Sequence, residues 1–62
     1  MCEAKVYIKK EDRLELLMED VIDITPQGPK LILTDILGKT QIFEGQIVSI
    51  GLLDHKVILE KS

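Results

Sequence analysis

From Ala4 to Glu60 the apolar residues of this chain recur mostly at every second position, in short runs broken by turn residues. No stretch carries an apolar stripe at helical spacing, and a period of two is the mark of half-buried strands. Ala4, Val6 and Ile8 share one face of a first run, with Lys5, Tyr7 and Lys9 on the other. Residues 10–13 form a polar turn, and Leu14 and Leu16 alternate with Arg13 and Glu15 in a second run. Leu17-Met18 breaks the period, which predicts a bulge, a bend or a short helical lead into Glu19-Asp20. A third run spans residues 21–25, followed by the turn Pro26-Gln27-Gly28-Pro29, where proline fixes φ and glycine permits positive φ. Further runs at 31–34, 41–44, 47–53 and 57–60 are separated by Gly38, Gly45 and Asp54-His55-Lys56. The spacing predicts an all-β domain over residues 1–62, seven short strands forming a small barrel or curled sheet.

At 62 residues there is room for one domain, and so short a chain buries only about 60% of the surface its unfolded form exposes. Its hydrophobic fraction of 45% is aliphatic, with Tyr7 and Phe43 the only rings. A core is affordable; a base-stacking platform is not. The net charge of −3, from 8 basic and 11 acidic residues, argues against a nucleic-acid surface, because affinity for phosphate comes from clustered Lys and Arg. The one basic pair, Lys9-Lys10, is followed at once by Glu11-Asp12. No apolar run is long enough to span a membrane, and the opening residues lack the pattern of a secretory signal. A cytoplasmic protein is expected, and a lone cysteine fits a reducing compartment.

Ile36 and Leu37 stand where a hairpin tip should be polar. They either cap an open end of the domain or meet another molecule. Short strands also leave sheet edges that a second copy would cover. A homodimer is the expected assembly.

Catalysis is poorly supplied. His55 is the only histidine, the carboxylates Glu11, Asp12, Glu19 and Asp20 lie as adjacent pairs in turns, and the four glycines open no phosphate loop. No catalytic residues are assigned. Cys2, the only cysteine, is either a small residue at a frayed end or a metal ligand. As a ligand, its thiolate and backbone nitrogen lie close enough to the Met1 amine to close small chelate rings on one ion. Structural zinc would need about four side-chain ligands, which one Cys and one His cannot supply. Ni(II) and Cu(II) accept deprotonated backbone nitrogen, so the shortage of side chains counts less against them. Glu3 adds a main-chain nitrogen or an oxygen. His55, on its turn, is either idle in solvent or a secondary ligand, weaker than the terminal site.

The run Met1-Cys2-Glu3-Ala4-Lys5-Val6 resembles the opening of the CooT-like proteins. These are small nickel-binding accessory proteins of carbon monoxide dehydrogenase maturation. Glu19-Asp20-Val21-Ile22-Asp23-Ile24 and Phe43-Glu44-Gly45 match later parts of the family pattern, so the likeness covers nearly the whole chain. The resemblance implies a seven-stranded, barrel-like domain related in shape to SH3 and Sm folds, assembled as a homodimer. It further implies that Cys2 is the Ni(II) ligand, and that the partner is apo carbon monoxide dehydrogenase or its maturation machinery. Nothing in the family motif corresponds to His55. The competing expectation is a small Sm-like module that binds RNA or a protein partner, with Cys2 incidental.

Overall fold

The computed structural model describes residues 3–62; Met1 and Cys2 lie outside the described residues. Five strands follow one another, β1 (Ala4–Lys9), β2 (Leu14–Gln27), β3 (Lys30–Asp35), β4 (Thr40–Gly51) and β5 (Lys56–Lys61). Each pairs antiparallel with the next, and β1 returns to pair parallel with β5, which closes the sheet into a ring. The all-β expectation holds, but the count of seven strands does not.

The reason is partner exchange within two long strands. The first part of β2 pairs with β1 and its second part with β3, the change falling at Val21, which faces Ala4 on one side and Asp35 on the other. β4 does the same: Thr40 to Glu44 pair with β3, and Gly45 to Gly51 with β5. Glu19-Asp20 and Gly45 read as breaks because they sit where each strand turns from one neighbour to the other. Register slips place extra residues at Leu17, at Glu19-Asp20, at Ile22 and at Val48. Bulges of this kind bend a strand and raise its twist, which a five-stranded sheet needs in order to close. The predicted irregularity at Leu17-Met18 is therefore a bulge rather than a helical lead.

The turns follow local chemistry. Pro26 and Gln27 stay in the ladder opposite Leu31 and Lys30, leaving Gly28-Pro29 as a tight loop with Gly28 at φ 62°. Asp35 organises the next turn: its Oδ1 accepts from the backbone N–H of Leu37 and Lys39, each at 2.9 Å. Gly38, at φ 85°, donates its N–H to the Asp35 carbonyl.

Val6, Met18, Val21, Leu31, Leu33, Phe43, Val57 and Leu59 form the core, with Ala4, Ile8, Leu17 and Ile24 packed against it. The predicted inner face of the first strand is thus real. Ile36 and Leu37 are exposed, Leu37 by 87%, so they do not cap the core. Leu52 and Leu53, expected at the end of a strand, lie in the β4–β5 turn and are almost fully exposed.

Candidate functional site

Glu3 leads into β1, and the start of that strand is gripped from both sides. Ala4 pairs with Val21 of β2, and the Lys5 N–H donates to the carbonyl of His55 at 2.9 Å. The ladder continues through Lys5–Lys56 and Val6–Val57. This parallel pairing fixes the β4–β5 turn, residues 52–55, beside the first described residues of the chain. Among the described residues, Asp20 and His55 are the non-glycine residues with positive φ, at 56° and 52°, a conformation for which Asp and His are enriched. One lies on each flank of the β1 start, and the Asp20 carbonyl accepts from the N–H of Ile36.

Two concavities open here. The more polar one is lined by Glu3, Lys5, Tyr7, Asp54, His55 and Lys56, with the Lys56 Nζ 5.4 Å from the centroid of the Tyr7 ring. The other is apolar and lined by Ala4, Ile50, Gly51, Leu52, His55 and Val57. His55 lies on the wall between them. Of the four residues expected at a metal site, Glu3 and His55 are brought to one concavity, while Met1 and Cys2 lie outside the described residues. Among the described residues no three His, Cys, Asp or Glu side chains converge at ion-holding distance.

The parallel β1–β5 pairing was not legible in the sequence, and with it the approach of His55 to Glu3. Only the lone histidine on a turn hinted at a role. Also unforeseen was the exposure of Ile47, Val48, Ile50, Leu52 and Leu53. Reading residues 47–53 as one alternating strand implied that half of them would be inside.

A family model described as "CO dehydrogenase accessory protein CooT" matches residues 1–60. The chain belongs to the CooT family. A crystallised protein provisionally assigned as CooT from Carboxydothermus hydrogenoformans superposes with a TM-score of 0.92 and 33% identity, covering 98% of each chain. Relatives without assigned function include one from Methanocaldococcus jannaschii, 35% identical over 60 residues that cover 97% of this chain and 98% of its own. Another, from Methanothermobacter thermautotrophicus, is 38% identical over 60 residues and covers 97% of this chain and 89% of its own. The CooT description is that of an accessory to an enzyme. Among the described residues no helix is long and apolar enough to cross a membrane.

Proposed function

We propose that this CooT protein carries Ni(II) at Cys2 and passes it, in the cytoplasm, to carbon monoxide dehydrogenase or its maturation machinery. The observation that carries the reading is the family match beginning at residue 1, which takes in Cys2 within Met-Cys-Glu-Ala-Lys-Val. Donor chemistry supports it. Since the described side chains do not assemble a cluster of their own, the ion draws on the Cys2 thiolate, on main-chain nitrogen of Cys2 and Glu3, and on the Met1 amine. Thiolate with nitrogen donors suits a late transition metal, and the choice of nickel over copper rests on which metal the cell supplies. Binding releases protons from thiol and amide, so affinity rises with pH.

The test is Ni(II) titration of wild type and Cys2→Ala, followed by the thiolate-to-nickel charge-transfer absorption and by mass spectrometry of the intact protein. Wild type gains the band and a nickel adduct, and Cys2→Ala gains neither. Unchanged tight binding by Cys2→Ala refutes the reading.

The CooT protein acts as a homodimer in this reading, and of the two reasons the sequence offered the exposed Ile36-Leu37 tip stands while an open edge at the first and last strands does not. Ring closure leaves no open edge between β1 and β5, so pairing there no longer motivates a partner. What further supports a second copy is the number of exposed apolar side chains at Ile47, Val48, Ile50, Leu52 and Leu53, since exposed apolar residues, where they cluster, mark an interaction site. An RNA-binding module finds less support: the chain is acidic, and Phe43 is buried in the core.

A further inference from the structure

Resting on the homodimer of the reading above, we infer that two copies join by antiparallel pairing of their β4 strands along residues 46–51, edge to edge across a two-fold axis. Among the described residues β4 pairs with β3 from Thr40 to Glu44 and with β5 from Gly45 to Gly51. The Gly45 N–H is its last contact on the β3 side, donated to the Pro29 carbonyl. Past that point the side of β4 turned away from β5 has no strand beside it among the described residues. Unpaired main-chain groups along a strand are a template for an added strand. The bulge at Val48 bends this half-edge but does not bury it.

The side chains agree with the backbone. Ile47 and Ile50 stand opposite Leu59 and Val57, and directly opposed residues share a face of the sheet. Leu59 and Val57 are buried, yet Ile47 and Ile50 are 37% and 56% exposed. The core face of β4 thus runs on past the core it covers. A second copy is the occupant because this edge is uncharged. Residues 45–53 are the longest stretch of the chain without a charged residue, and they include no proline, whereas guarded edges carry one or the other. The matching half of β2, Leu14 to Met18, is paired on its β1 side alone, but it carries Glu15 and runs into Glu19-Asp20. Two molecules of net charge −3 repel each other, and they meet at least cost where neither bears a charge. A two-fold axis sets a strand antiparallel to its own copy, so one uncharged edge supplies both halves of the contact.

The test combines sedimentation with backbone amide hydrogen exchange on the full chain. Wild type should sediment as a dimer. Its β4 amides that face away from β5 should exchange slowly in the dimer and rapidly once dilution has made it monomeric, a measurement that needs no variant. Ser49→Lys places a charge on an exposed position of the edge. It should raise the dimer dissociation constant about a hundredfold, because like charges brought together across an interface oppose association, while Ser49→Thr behaves as wild type. The circular dichroism of Ser49→Lys should match that of wild type. If those amides exchange as fast in the wild-type dimer as in the monomer, the β4 pairing is overturned and the homodimer stands with its contact elsewhere. If wild type sediments as a monomer at every concentration, both fail.

Discussion

Replacing Gly45 by alanine sets two effects of opposite sign against each other. By conformational entropy alone, alanine in a strand is favoured over glycine by about 0.5–1 kcal/mol. Gly45 is where β4 leaves β3 for β5, with its N–H donated to the Pro29 carbonyl at 3.3 Å and its Cα opposite Lys61. A methyl group there would be driven into the backbone carbonyl oxygen of Glu60 and to 2.5 Å from Cε2 of Phe43. The carbonyl belongs to β5 and cannot rotate aside, and Phe43 is part of the core. Overpacking of this kind costs about 1–3 kcal/mol, so it outweighs the entropic gain and leaves a net loss of order 1–2 kcal/mol. For a domain this small, each kcal/mol moves Tm by roughly 4–8 °C. Thermal unfolding followed by circular dichroism should therefore show Gly45→Ala melting about 5–15 °C below wild type, with exposed Gln46→Ala close to it. A Gly45→Ala protein that melts at or above wild type refutes the close approach, and with it the account of β4 as one strand that changes partners.

Leu33 is fully buried in β3, and Leu33→Ala should cost about 2–5 kcal/mol, enough to unfold much of the population; urea denaturation reads the loss. Lys10→Ala removes an ion pair with Glu15 whose members are 41% and 53% exposed, and the same assay should show a change below about 1 kcal/mol. Ile50→Asp combined with Leu53→Asp replaces two exposed apolar side chains; sedimentation should report a dimer for wild type and a folded monomer for the double variant. A double variant that still sediments as a dimer places the contact elsewhere.

The sequence is most legible where one face is buried. Ala4, Val6 and Ile8 alternate cleanly because the β1 inner face meets the core, and Gly28 and Gly38 mark turns that require positive φ. It is least legible where a strand changes neighbours. Glu19-Asp20 and Gly45 carry the residue types of turns, yet in β2 and β4 the backbone runs on, because bulges absorb the bend without ending the ladder. Leu52 and Leu53 mislead for another reason: an apolar side chain left exposed in a turn looks in sequence like one placed in the core. For the candidate site, the opening motif singles out Cys2, which lies outside the described residues. The nearness of His55 depends on a pairing between distant parts of the chain, which no local pattern records.

The parallel ladder of β1 against β5 also sets an order of events. Loop closure between remote segments is a slow, late step in folding, and the partner of Lys5 is reached only when the His55 turn has been made. On the ribosome, β1 is made before β5 and gains its parallel partner last. Until β5 zips in, β1 is held by β2 alone, and the sheet has open edges at β1 and β4. An unfinished chain thus exposes edges that a finished one does not, so the ladder that closes the ring also ties protection of those edges against stray pairing to completed synthesis.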